Sequence, residues 1–175
     1  MKHKSSRMKR IAILRHAKSS WGQPGLDDFQ RPLNRRGAHQ CEILANYLAD
    51  NVAPFDQVVC SPAERTRETL RRLSLDGGNE PYFEQRLYLG PPDHYLDCVW
   101  SADDTANSLL IVGHNPASDE LARYLAKPNG DAYRSLMAAH FGTANLAVLM
   151  FDGDWRDVGE ASCTLTTFFR PDQGD

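Results

Sequence analysis

The chain has 175 residues, of which 41% are hydrophobic and 25% charged, enough for one ordinary domain with a real core. Its net charge of -3 argues against a general nucleic-acid or membrane-surface binder, and no segment approaches the ~20 apolar residues of a membrane-spanning helix. The four cysteines (Cys41, Cys60, Cys98 and Cys163) are widely spaced, and the six histidines show no metal-ligand spacing. The expectation is a reduced, cytoplasmic protein that uses neither metal nor cofactor.

Basic residues cluster at the start (Lys2, Lys4, Arg7, Lys9, Arg10) and read as a flexible, solvated tail over 1–10, followed by a single domain over 11–170. The apolar run Ile11-Ala12-Ile13-Leu14 predicts a buried strand over 11–15 that ends in Arg15-His16-Ala17-Lys18. After a Gly- and Pro-punctuated loop, apolar residues from Ala38 to Leu48 recur at helical spacing over 35–49, and Pro54 ends that element. A second strand, Gln57-Val58-Val59-Cys60, runs into Ser61-Pro62-Ala63-Glu64, which reads as a capping box with proline at the first helical position. That helix is expected to continue to Leu73. Residues 82–88 suggest a short strand, and 92–101 a helix after Pro91-Pro92.

The run Leu109-Leu110-Ile111-Val112 predicts a third strand, followed by Gly113-His114-Asn115-Pro116, with Asn115 as cap and Pro116 as first residue of a helix to about Ala126. Residues 127–142 read as a loop. Two strand-like runs, 144–151 and 162–169, flank Asp152-Gly153-Asp154, a hairpin signal. Strands that alternate with helices predict an α/β domain with a mostly parallel sheet and a carboxy-terminal antiparallel hairpin.

Three apolar strands therefore end in functional residues at equivalent places. The first delivers Arg15 and His16, the second Ser61 and then Arg65 one turn into its helix, and the third His114. Each has a bland reading by itself: Arg65 shares its helix with Arg67, Arg71 and Arg72, the look of a solvated face, and a strand-end histidine is commonly a structural residue. As parallel neighbours, however, the three strands would bring two arginines, two histidines and two helix amino termini to one sheet edge. Guanidinium forks and helix amino termini both favour phosphate oxygens.

The motifs Leu14-Arg15-His16-Ala17-Lys18-Ser19-Ser20-Trp21, Arg31-Pro32-Leu33-Asn34-Arg35-Arg36-Gly37, Ser61-Pro62-Ala63-Glu64-Arg65-Thr66 and Val112-Gly113-His114-Asn115-Pro116, in this order, resemble the histidine phosphatase (phosphoglycerate mutase-like) superfamily. The chain is most similar to its SixA-type phosphohistidine phosphatase branch. The resemblance implies a three-layer α/β/α fold and a metal-independent phosphatase. It makes His16 the nucleophile that forms a phosphohistidine, Arg15 and Arg65 the clamp on the phosphoryl oxygens, and His114 a partner in holding the transferring group. Lys18 and Arg31 are further candidates for the phosphate rim, each with a surface role as alternative.

Alkyl phosphates need a proton donor for the leaving group. Glu84 is the candidate acid, with Asp27 and Asp28 as loop alternatives; an imidazole leaving group tolerates a weak or missing acid. The expected substrate is a phosphorylated protein, including phosphohistidine, or a small phosphorylated metabolite. Trp21, Phe29, His140 and Phe141 would contact it or pack on the core. Two alternative functions are a non-catalytic phosphoryl-binding regulatory module and a mutase-type phosphotransferase. The second is disfavoured by Gly22, where mutase relatives place asparagine.

Overall fold

The computed structural model describes residues 7–21, 23–75 and 77–172, so Gly22 and the basic residues Lys2 and Lys4 lie outside the described residues. Strand β1 spans Met8–Arg15 and starts three residues before the apolar run. The tail expected over 1–10 is therefore too long: Lys9 and Arg10 belong to the sheet. Lys9 is buried, with its ammonium bonded to the carbonyls of Asp104 and Ala106 and 4.9 Å from the Trp155 ring. Carbonyl ligands and a π face replace the lost water.

Five further strands, β2 (Gln57–Cys60), β3 (Tyr82–Phe83), β4 (Ser108–Gly113), β5 (Leu146–Asp152) and β6 (Thr164–Phe169), complete one sheet in the order β3-β2-β4-β1-β5-β6. The pairs β3/β2, β2/β4 and β4/β1 are parallel, while β1/β5 and β5/β6 are antiparallel. The chain is thus α/β, with a mostly parallel sheet and antiparallel carboxy-terminal strands. Asp152-Gly153-Asp154 does not close a tight hairpin, since a longer connection with a 3-10 turn at Trp155–Asp157 intervenes before β6.

Helices α1 (Arg35–Asn51), α2 (Glu64–Leu73), α3 (Pro92–Trp100), α4 (Ala117–Leu125) and α5 (Asp131–Ala138) cover both faces. Alternation along β1 assigns the layers: Ala12 and Leu14 pack with Cys41 and Leu44 of α1 and Leu70 of α2, while Ile11 and Ile13 pack with residues of α3, α4 and α5. Continuous apolar strands are what a sheet covered on both faces requires. All four cysteines are free and buried as small core residues. Helix α5 falls inside the stretch read as a loop; Leu136 is its one fully buried residue, with Ala132 and Tyr133 packed beside it against the core.

Candidate active site

Register builds the site. Leu14 of β1, Val112 of β4 and Cys60 of β2 lie in line across the sheet, so the next residues of all three strands leave at the same edge. The ladder runs on past the strands, with the His16 amide donating to Gly113 and the Ser61 amide to Val112. His16, Ser61 and His114 are consequently neighbours, and the two imidazole centroids stand 5.2 Å apart. His16 and His114 line, with Arg15, Arg65 and Asn115, a cavity of about 600 Å³. The crevice beyond the carboxyl ends of parallel strands is where open α/β sheets bind ligands.

Both helix starts differ from expectation for reasons that concern this cavity. The first residue of α2 is Glu64, and its N-cap Ala63 makes no side-chain cap. The Ser61 hydroxyl lies 2.8 Å from His114 Nε2, and only 3.4 Å from the Ala63 amide that donates to it. Glu64 pairs with Arg71 rather than reaching back in a capping box. Likewise Pro116, not Asn115, caps α4, because Asn115 donates its amide to the Phe141 carbonyl at 2.7 Å. Arg15 donates to that carbonyl too, at 3.2 Å.

His16 is buried, and its Nδ1 lies 2.7 Å from the Ala17 carbonyl. A carbonyl only accepts, so Nδ1 carries the ring proton and Nε2 the lone pair. Burial, then the adjoining His114 and the guanidiniums of Arg65 and Arg15, hold the His16 pKa well below the ordinary histidine value. His114 is pushed down to about 3, first by burial and then by Arg65. Both rings are neutral at neutral pH. His114 Nδ1, Arg15 Nε and Arg65 Nε are buried donors or acceptors with no protein partner among the described residues. Buried polar atoms are nearly always paired, so these orphans, with Asn115 Oδ1 a fourth around the same cavity, mark the place of a polar ligand.

The loop before α1 supplies the frame. Arg65 gives one hydrogen bond to the Asp28 carbonyl (2.8 Å) and one to its carboxylate (3.2 Å). The same carboxylate receives Tyr88 Oη at 2.6 Å and Arg31 Nε at 3.0 Å. Led by the Tyr88 bond, these partners lower its pKa to about 2. Asp28 is thus an ionised anchor for two arginines and not the loop acid considered above. Asp27 does not line the cavity. Arg31 lines the cavity as well as bracing its loop, bonding Ser19 and the Ser20 carbonyl and lying 3.9 Å over the Trp21 ring.

Glu84 is elsewhere. It caps the 3-10 turn at Gln85–Leu87 and pairs with Arg86, against a separate cavity lined also by Gln57 and Cys98. As the candidate acid it is corrected: its carboxylate does not line the reaction cavity. Glu120 of α4 does, on the rim. Of the aromatic loop residues, Trp21 is exposed on the rim, Phe29 packs edge-on against Tyr88, Phe141 is fully buried and His140 lines a smaller neighbouring cavity.

The sequence reading missed Asp28 as an anchor, Tyr88, and the reason for Gly37. A Cβ on Gly37 would lie 2.0 Å from the Lys18 carbonyl oxygen, so α1 presses bare backbone against the loop that follows His16. Asn34 caps that helix by accepting from the Gly37 amide at 2.9 Å. Lys18 lines the cavity through its side chain while its amide and carbonyl are tied to Gln40 and Asn34.

Among the described residues no helix is long and apolar enough to cross a membrane, and no three His, Cys, Asp or Glu side chains are grouped to hold a metal ion. Comparison with known proteins agrees with the geometry. The model of the histidine phosphatase superfamily (branch 1) matches residues 11–88. An uncharacterised protein of Mycobacterium tuberculosis is 33% identical over 160 residues, covering 90% of this chain and 99% of the relative. A structure from Nakamurella multipartitia, assigned as the phosphohistidine phosphatase SixA, superposes with a TM-score of 0.82 at 27% identity, over 94% of this chain and 96% of that one. Its counterpart from Agrobacterium tumefaciens gives 0.77 at 29% identity, over 94% and 99%. With an Arg-His strand end facing a second histidine across the sheet, and relatives matched over nearly their full length, this chain belongs to the histidine phosphatase superfamily and is similar to its SixA-type members.

Proposed function

We propose that the protein is a phosphatase that transfers a phosphoryl group from a phosphomonoester or a phosphohistidine to His16 Nε2 and then to water. The observation that carries this reading is the tautomer of His16: with Nδ1–H held by the Ala17 carbonyl, a neutral Nε2 lone pair is left at the cavity beside Arg15 and Arg65. In the first step the Nε2–P bond forms as the bond from phosphorus to the leaving group breaks, and the leaving group departs with the electron pair and takes up a proton. In the second, water attacks phosphorus, the Nε2–P bond breaks, and the imidazole recovers its lone pair while the water proton is released. Splitting the displacement in this way replaces one hard step by two easier ones.

Phosphoryl transfer depends mainly on positioning and on charge facing the equatorial oxygens. Arg15 and Arg65 supply that charge through buried Nε–H groups that no protein atom occupies. His114, whose Nε2 meets the Ser61 hydroxyl, offers Nδ1–H to a third oxygen when that hydroxyl donates. The arginines therefore take the charge-neutralising role without a metal. Ionised Asp28 and distant Glu84 do not serve as acids, which favours leaving groups that depart readily, such as the imidazole of phosphohistidine or a phenol. The four free, buried cysteines support a reducing, cytoplasmic setting.

Turnover of an aryl phosphate in the presence of chelator, compared between wild type and His16→Ala, tests the reading. The variant is expected to lose activity, and phosphorus NMR of the quenched wild-type enzyme to show a phosphoramidate. Equal turnover by the two proteins would overturn it.

A further inference from the structure

Beside the reaction cavity lies a smaller one of about 250 Å³, and Arg15, Lys18 and Thr143 line both. Its other walls include Arg36 at the start of α1 and Arg170 and Asp172, which follow β6. The segment after the last strand is thus laid beside the first turn of α1, next to the loop that carries His16. In a chain of net charge -3, this spot gathers four Lys or Arg side chains against a single carboxylate among the described residues.

That carboxylate is already engaged. Asp172 accepts from Arg36 at 3.0 Å and also from the Gln40 side-chain amide. Arg15, Lys18 and Arg170 make no ion pair among the described residues: Arg15 donates to a backbone carbonyl, and Arg170 lies 5.9 Å over the Phe168 ring. Thr143 accepts from Gln40 Nε2, which leaves its own O–H to donate. A single phosphoryl group in the larger cavity is matched by Arg15, Arg65 and the two imidazoles, so Lys18 and Arg170 exceed what it requires. Like charges held close together repel unless an anion sits among them.

We propose that the smaller cavity binds a second anionic group of the same substrate, a carboxylate or a second phosphate, so that the preferred substrate is a phosphoryl compound with two separated anions. The inference rests on the phosphatase reading and narrows its substrate class. Arg170 is the specificity-determining residue, and Lys18 bridges the two cavities.

Three phenyl phosphates that share one leaving group test it: one with a para-propanoate tail, one with the matching phosphonate, and one with the uncharged propanamide. Calorimetric binding to His16→Ala reads affinity without turnover. The two charged tails are expected to bind about tenfold more tightly than the amide, as one added charge-assisted contact implies. Arg170→Gln, in the same His16→Ala background, should bring the charged tails down to the affinity of the amide compound. The ranking of carboxylate against phosphonate identifies the anion. Equal affinities for charged and uncharged tails, or a preference that survives Arg170→Gln, would overturn the second-anion site. Failure of the wild-type enzyme to turn over any of the three would instead refute the phosphatase reading, while the calorimetry still decides the anion site.

Discussion

Asp28 offers the sharpest test of how this cavity is built. Arg65 rests one edge of its guanidinium on the Asp28 carbonyl and carboxylate, which leaves Nε–H for the phosphoryl group. Asp28→Asn keeps the carbonyl and a neutral acceptor but removes the charge. A hydrogen bond to a charged partner contributes about 1.5–3 kcal/mol, and the low end applies because the Asp28 side chain is 46% exposed and partly screened. Losing about 1.4 kcal/mol of orientation lowers kcat/KM roughly tenfold. Asp28→Ala also strands Tyr88 Oη and Arg31 Nε, and should cost about tenfold more, at ~1 kcal/mol or more for the partners left unpaired. The assay is steady-state kinetics on an aryl and an alkyl phosphate. An anchor acts on the phosphoryl oxygens, so both substrates should lose activity by the same factor, and inhibition by inorganic phosphate should weaken as well. A loss confined to the alkyl phosphate would show Asp28 to be the proton donor, and an unchanged kcat/KM would show that Arg65 needs no anchor.

Three other outcomes can be measured on the same protein. Gly37→Ala puts a methyl group 2.0 Å from the Lys18 carbonyl, and because that oxygen belongs to backbone and Cβ is fixed to the helix the strain should cost about 1–3 kcal/mol in urea unfolding and reduce kcat as well. His114 is neutral when folded, its pKa pushed down to about 3, whereas in the unfolded chain it titrates near the ordinary histidine value. Between those limits the unfolded state binds more protons, so stability should fall as pH drops below about 6.5 and Tm should decline, with a shallower decline in His114→Gln. Ser61→Ala deprives His114 Nε2 of its partner at 2.8 Å; a loss of about 1 kcal/mol would appear as a roughly fivefold fall in kcat/KM without a change of fold by circular dichroism.

The sheet and the four central side chains were legible because they follow local rules. A run of three or four apolar residues closed by a polar turn, met three times, fixes where Arg15, His16, Ser61 and His114 leave the sheet. What joins the strands is not local. Asp28 reaches Arg65 across 37 positions and Tyr88 across 60, and a carboxylate in a loop has no spacing that announces such partners. Ser61 and Asn115 carried real helix-start signals, but tertiary partners took their side chains: His114 in one case and the Phe141 carbonyl in the other. Glu84 was the nearest acid to name from sequence, yet the turn it caps directs it to Arg86. Helix α5 escaped because eight residues give its apolar stripe, Ala132, Tyr133 and Leu136, only about two turns in which to repeat.

The division of labour between guanidinium and imidazole explains why the site places both so close together. A histidine nucleophile must keep its lone pair, while a phosphoryl acceptor site must stay positive, and one titrating group cannot do both at a single pH. Here the positive charge resides on the guanidiniums of Arg15 and Arg65, and their fields join burial in keeping His16 and His114 neutral. Asp28 completes the scheme: its carboxyl, held down to about 2, anchors Arg65 at any pH the fold survives. Lone pair, charge and anchor therefore coexist from mildly acidic to alkaline pH. On that argument the acid limb of kcat/KM follows the ionisation of the phosphate monoester and not that of a histidine, so replacing an aryl phosphate by the corresponding thiophosphate, which ionises at lower pH, should move the limb downward while the enzyme stays the same.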